Sequence, residues 1–474
     1  MTQSWYHIAV VGTDLAGLIL AALAARGGYR VVVIGHGDRK NAYKHQGFWF
    51  LRHLEHLLGF QTSPAVQRVF TELSLGLEMK NRPQALDGIQ VASPRMRLDL
   101  SGARKIWERE CERELPHTLP RFDRFDQRMR QLTTETDAAL GLDGDRLARV
   151  PLETDASLDA DPRVRAVIEA PLSHLTGLVT DPLSPLTVAR LWTHLRAGLH
   201  RFPGGLDGLK QVFVRKVRDQ ASDVRPDALV QSLVLKRGKV VALELAERSE
   251  AIGCELVVMN CDPRRLHHLI PAEHRDETWL DAVSEPIGWR MMVNVGVDPR
   301  VLPAAMGPDL VWFNDPRMRL SGDNCFWISR PGIGPHAGGD GRPSPGVVQI
   351  SAVVEARGLT PSMASLNRTR TAALSALRQL VPWLDEHLKV VDVPALGTDR
   401  DGPTLDLDAL TPIYGRAVPG TLGVGALAES TPLKNVLMAS DHRYPGLGFE
   451  GTCLSALHTL HLVRDRVRLS RGLR

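Results

Sequence analysis

The sequence predicts an α/β chain organised on a buried parallel sheet, and three stretches point to it. The first is His7 to Gly35. Ile8–Val11 is a β-branched run that suits a buried parallel strand. After Gly12, Leu15 to Arg26 is rich in Ala and Leu and free of proline, which favours a helix. Gly27-Gly28 ends that helix, and Tyr29–Ile34 is a second β-branched run, so the unit has the length of a βαβ crossover. The second stretch is a mid-chain hairpin, Ala228–Leu235 and Val240–Leu245 around Lys236-Arg237-Gly238-Lys239, followed by the apolar run Cys254–Met259. The third lies near the end: a strand at Asn435–Ala439, a glycine-rich turn from Asp441 to Gly451, and a closing helix from Thr452 to Arg464.

The first turn reads Gly12-Thr13-Asp14-Leu15-Ala16-Gly17, a variant of G-x-G-x-x-G. In that fingerprint the first glycine makes the tight turn and the third lets helix and strand pack. The middle one lets a pyrophosphate approach the backbone at the helix N-terminus. Gly12 and Gly17 keep the outer two roles. Asp14 puts bulk and negative charge in the middle, and Gly35 stands where an acid for the ribose is expected. Two readings follow: a dinucleotide site, or a βαβ unit that keeps the fold without the nucleotide.

At 474 residues the chain is long enough for two domains, and 43% hydrophobic with 24% charged residues is an ordinary globular composition. A net charge of +4 with no basic-aromatic motif gives no reason to invoke nucleic acid. The start, MTQSWYH, lacks the features of a secretion signal, and no apolar run reaches the roughly 18 residues of a membrane span. Five scattered cysteines without a CxxC read as buried thiols of a reducing, cytoplasmic setting. His53, His56 and the His267-His268 pair read as core or surface histidines, and no metal site is expected.

Between the three stretches, 37–46 reads as a loop and Gly47–Phe50 as a short aromatic strand. Leu51, Leu54, Leu57 and Leu58 suggest a helix over 51–80, and weak alternation suggests strands over 84–100. Helices are expected over Arg121–Leu140, over 160–200 with breaks at Pro182 and Pro185, and over Lys210–Gln220. Met291–Val297 and Val347–Glu355 are the clearest later strands. Met363–Leu388 reads as one helix kinked at Pro382.

Together these pieces resemble the phytoene-desaturase-like branch of the FAD-dependent amine-oxidase superfamily. The resemblance rests on the βαβ unit, on FPGGLDGLKQVFVRKV with the hairpin and VVMNCDPRR at 202–265, on TPIYGRAV at 411–418, and on NVLMASDHRYPGLGFEGTCLSA at 435–456. It implies a three-segment Rossmann-like FAD-binding domain (1–60, 200–280 and 425–474) with an inserted mixed α+β substrate domain (61–199 and 281–424). It also implies FAD contacts at Gly12, Thr13, Asp14, Ala16, Gly17, Val230, Asp441, Gly446, Gly448 and Gly451. Val230 would meet the adenine, Asp441 the ribityl and phosphate part, and the closing helix would point at the ring. The chain departs from the pattern at Asp14, at Gly35, at 39–44 where a second glycine pair is missing, at Leu51-Arg52-His53, and at Ser440. Arg39, Lys40 or Lys44 is expected to offset the Asp14 charge.

Two functions follow. One is a flavoprotein that takes hydride from a hydrophobic substrate, or isomerises a polyene, in a pocket lined by Trp289, Trp312, Phe313, Phe326 and Trp327. The other is a non-catalytic relative with weakened or lost FAD binding, acting as a scaffold or as the partner of a homo- or hetero-oligomer. The basic tail from Arg464 to Arg474 suits peripheral contact with anionic lipid or a solvated end. No catalytic residue is assigned.

Overall fold

The computed structural model describes residues 4–37, 39–86, 88–140, 161–176, 185–246, 250–261, 263–276, 279, 286–331, 345–355, 360–399, 402–414, 431–440, 444 and 446–468. Two large sheets organise them. The first carries β1 (Trp5–Val11), then α1 (Leu15–Arg26) and β2 (Val31–Ile34). Its order is Asp223–Arg225, β2, β1, Ala251–Met259, Lys239–Leu245, Val230–Lys236, with Val436–Met438 also paired to Ala251–Met259. The strands Asp223–Arg225, β2, β1, Ala251–Met259 and Val436–Met438 are mutually parallel. This sheet therefore draws on residues 5–34, 223–259 and 436–438.

Three helices pack on it: α1, Gly205–Arg218 and Gly448–Arg466. Every residue of α1 from Ala16 to Ala25 is buried. Its Ala- and Leu-rich sequence has no polar face, as expected for a helix enclosed by a sheet and two other helices. All three helices begin at the edge where the parallel strands end, the side on which such sheets build their ligand crevice.

The second sheet runs Leu388–Asp392, Pro286–Val297, Val347–Glu355, Cys325–Ser329, Asp309–Phe313, Ile89–Ser93, Met96–Leu100, with Thr411–Tyr414 also paired to Pro286–Val297. Strand alternation gives it two unlike faces. Trp289, Met291, Val293 and Val295 pack with Leu366, Ala373 and Leu377 of the Met363–Leu380 helix. On the opposite face Asn294 donates to the Tyr43 hydroxyl and to the Leu51 carbonyl, which places that face against the Ala42–His45 and Phe48–Leu51 hairpin. The expected aromatic pocket lining is divided by this alternation. Trp289, Trp312 and Phe326 lie in the helix-facing core, and only Phe313 and Trp327 belong to the other cluster.

The segment 51–80 is not one helix. A short strand, Leu57–Leu58, precedes Pro64–Glu72 and Gly76–Asn81, because Ser63 caps the Val66 N–H and Pro64 sits in the first turn. Residues 42–45, read as loop, form a strand. The 363–388 helix stops at Leu380; Trp383 has φ +60°, Leu384–His387 is a separate turn of helix, and Leu388–Asp392 joins the sheet. Residues 177–184, with Pro182, and the tail beyond 468 lie outside the described residues. All five cysteines are buried and none forms a disulfide. No helix among the described residues is long and apolar enough to cross a membrane.

The turn after β1 generates a direct test. Gly12 has φ +120°, and a Cβ there would lie 2.1 Å from the Asn260 carbonyl oxygen. Gly12→Ala is expected to cost about 3 kcal/mol through overpacking and backbone strain. Gly47→Ala, at φ +86° in open space, is expected to cost about 1 kcal/mol. Urea midpoints of the two variants check the order.

Candidate functional site

The parallel-strand edge brings together most of the residues marked in the sequence. Gly12 donates its N–H to the Ile34 carbonyl at 2.7 Å, closing the turn against β2. Gly17 faces the side chain of Asn260, where a Cβ would come within 2.5 Å of Oδ1. Ala16 is buried beside it. Thr13 is partly buried in the same turn, and Asp14 is the N-cap residue of α1. The Asp14 side chain makes no capping hydrogen bond; it accepts from Lys210 Nζ at 2.9 Å. The cation that answers Asp14 is therefore Lys210, on the Gly205–Arg218 helix. Arg39, expected in that role, pairs instead with Asp406.

Gly35, at the end of β2, bonds through its N–H to the Arg225 carbonyl at 3.0 Å. A Cβ on Gly35 would sit 1.9 Å from the Pro226 carbonyl oxygen. The backbone leaving the Asp223–Arg225 strand thus fills the space into which an acidic side chain would project. Val230 starts the outermost hairpin strand, buried at 4% exposure and paired with Leu245.

At the C-terminal turn, Gly446 has φ +89° and Gly448 has φ +55° with open space around its Cα. Gly451 packs against Tyr444, whose carbonyl oxygen a Cβ would approach to 2.5 Å. Asp441 lies outside the described residues. Sequence reasoning passed over Glu450, in the first turn of the closing helix and 1% exposed. Its carboxylate meets the Arg190 guanidinium in a forked pair, with Nε to Oε2 at 2.8 Å. Ser63 Oγ donates to Oε1 at 2.6 Å, and His194 Nε2 stands 3.4 Å away. Arg190 also bonds Asp137 at 2.5 Å. Burial pushes the Glu450 carboxyl up, but the Arg190 charge and hydrogen bonds outweigh it and hold it well below the usual range. The signal for Glu450 was a single charged residue in the otherwise uncharged run Tyr444–Gly451.

A second buried carboxylate, Asp309 (0% exposed), accepts from Arg201 at 2.6 Å and Trp327 Nε1 at 3.0 Å and lies 2.7 Å from His56 Nε2. Burial raises it; Arg201 and His56 more than reverse this and hold it well below its ordinary value. Nothing in the local sequence marks Asp309. His53 lies in the segment between the two sheets, with Nδ1 3.1 Å from Thr411 Oγ1. Burial, then the charges of Arg290, Arg52 and Lys210, lower it to about 4. Among the described residues, no group of His, Cys, Asp and Glu is arranged to hold a metal.

The ADP half of an FAD does not fit this edge. Its ribose acid is absent and excluded by Pro226, and a carboxylate occupies the pyrophosphate turn. On the side expected for the flavin, Gly446 and Gly448 both have positive φ, and space is open at Gly448.

No protein-family model matches the chain, and no curated protein matches it. Solved structures do. The chain is similar to an oxidoreductase from Methanosarcina mazei (12% identity, TM-score 0.60, covering 96% of this chain and 100% of that one). It is similar to putrescine oxidase bound to putrescine (14%, 0.60, 97% and 99%). It is also similar to a Rab GDI from Plasmodium falciparum (12%, 0.54, 98% and 98%). At these identities the likeness concerns fold: the chain has the amine-oxidase type of α/β fold, a Rossmann-like sheet joined to a second, mixed sheet.

Glu450→Gln leaves the buried Arg190 with the partly exposed Asp137 in place of its enclosed partner and is expected to cost about 3 kcal/mol at pH 7. Because Glu450 is depressed in the folded state, its contribution is present above the unfolded value of 4.5 and lost as pH falls below it. The variant's acid limb should accordingly be shallower than that of wild type. His53 is held neutral, so the unfolded chain takes up a proton first and stability falls as pH drops from 6.5 to about 4. His53→Asn should flatten that interval by up to about 1.4 kcal/mol per pH unit in urea titrations.

Proposed function

We propose that this chain is a ligand-binding relative within the amine-oxidase-type fold, and that it does not work as an FAD-dependent oxidoreductase. The observation that carries this is Gly35 against Pro226: the ribose acid is missing and the backbone has closed over its place. The Asp14–Lys210 pair in the pyrophosphate turn supports the same reading. So does the way Gly12 and Gly17 pack on Asn260, because the fold alone requires both glycines. The fold is compatible with either activity, since it is shared by proteins named as oxidases and by one named as a Rab GDI. The division suggested by the strands is a discontinuous first domain, 1–60, 200–280 and 425–474, with 61–199 and 281–424 forming the second. In this reading the crevice holds a small molecule, or the chain acts in complex with a protein partner.

Gly446 and Gly448 favour a second reading, because their positive φ and the open space at Gly448 suit close approach of a ring. That reading is a phytoene-desaturase-like flavoprotein acting on a hydrophobic substrate. An absorption spectrum and a melting curve of the purified protein, each with and without excess FAD, separate the two. The expected result is no flavin band and no shift in Tm. FAD bound to the native state at a hundredfold excess over Kd would add about 2.7 kcal/mol, and a yellow, FAD-stabilised protein would establish the second reading instead.

A further inference from the structure

The face of the second sheet turned towards the Ala42–His45 and Phe48–Leu51 hairpin is buried yet polar. Arg290 and Asn294 alternate with the apolar residues of their strand and lie on this face. On the neighbouring strand Gln349 stands opposite Asn294, Ser351 opposite Met292 and Val353 opposite Arg290. Gln349 and Ser351 are fully buried. Asn294 and Gln349 are tied to Leu51 and to each other. Further along the strands, towards Arg290, such ties give out. Ser351 Oγ, Arg290 Nε and Arg52 Nε are buried atoms without a hydrogen-bond partner. Buried donors left unpaired cost free energy and ordinarily mark a missing ligand, ion or water.

The charges are unbalanced at the same place. Arg290 donates to the His174 carbonyl, and its strand pairing sets it opposite Thr411, whose hydroxyl meets His53. Arg52, next in sequence to His53, stacks over the Tyr43 ring at 4.5 Å. Among the described residues neither Arg290 nor Arg52 has an ion pair, whereas Lys210 is answered by Asp14, Arg201 by Asp309 and Arg190 by Glu450. A guanidinium removed from water without a counter-charge is expensive, and an anion supplied from outside would remove that cost.

We propose that the polar cluster at Arg290 binds the anionic group of a small ligand, a carboxylate or a phosphate, with the Arg290 guanidinium as its principal partner and Arg52, His53 and Ser351 around it. The site is built on the second sheet and not on the Gly12–Gly17 turn, so it holds or fails separately from the absence of FAD. Arg is suited to this task because its planar fork matches both anions in two parallel hydrogen bonds.

Thermal unfolding of the full chain tests it, in sodium phosphate, sodium benzoate and sodium chloride at equal ionic strength. Wild type and Arg300→Met, a change at an 87%-exposed arginine, are expected to melt at least about 2 °C higher in phosphate or in benzoate than in chloride. The anion that stabilises identifies the ligand's group. Arg290→Met should lose that rise. In chloride it should melt close to wild type, because removing an uncompensated, partly buried charge offsets the lost hydrogen bond to the His174 carbonyl. Should Arg290→Met fail to fold, Arg290→Lys keeps the charge without the fork and should show a smaller rise than wild type. Equal melting of wild type in all three salts would overturn the assignment. So would a rise that survives unchanged in the Arg290 variants.

Discussion

Asn260 is the point on which the crevice edge depends. Its backbone N–H donates to the Val11 carbonyl at 2.7 Å, and its side-chain Nδ2 donates to the Ala439 carbonyl at 2.7 Å. Its own carbonyl lies against Gly12 and its side-chain amide against Gly17. One buried residue thus joins the end of β1, the start of α1 and the segment after the Val436–Met438 strand, three places far apart in sequence. Neither Gly12 nor Gly17 can gain a side chain while Asn260 sits there. This explains how a glycine turn of dinucleotide type persists where the middle glycine and the ribose acid are gone.

The three helices that start at this edge each present a positive dipole end. A carboxylate of the chain itself stands at each. Asp14 caps α1 and pairs with Lys210. Glu55 accepts the Leu206 N–H at 3.1 Å at the start of Gly205–Arg218. Glu450 lies in the first turn of Gly448–Arg466 and pairs with Arg190. The edge where a dinucleotide fold gathers phosphate has become internally neutralised. The surplus positive charge lies elsewhere, at Arg290 on the second sheet and at Arg52, which follows the Phe48–Leu51 strand. The Arg190–Glu450 and Arg201–Asp309 pairs differ from that surplus in kind, since in each the guanidinium meets a buried carboxylate.

The βαβ unit, the hairpin and the closing helix were legible because periodicity and glycine punctuation are local. The Leu15–Arg26 helix was read with the ends it has in the structure, and the strands around it lie within a few residues of the expected ones. Where Ser63-Pro64 or Val381-Pro382 broke a leucine pattern, periodicity alone ran the helix too far. Lys210 was missed as the partner of Asp14 because it stands 196 residues away. Asp309, Arg290 and Ser351 were missed for a related reason: a single polar residue in a strand reads as solvent-facing until the element covering it is known. Gly35 was legible as a departure. That the Pro226 backbone excludes a side chain there was visible only in three dimensions.

The central claim is that the adenosine and pyrophosphate half of the edge no longer takes its nucleotide. Calorimetric titration of the protein with ADP isolates that half, since ADP carries the groups the turn would hold and none of the flavin. The expected result is no heat of binding at sub-millimolar ADP. A Kd near 1 μM, about −8 kcal/mol, would contradict the account and show that the Asp14 turn still accommodates two phosphates.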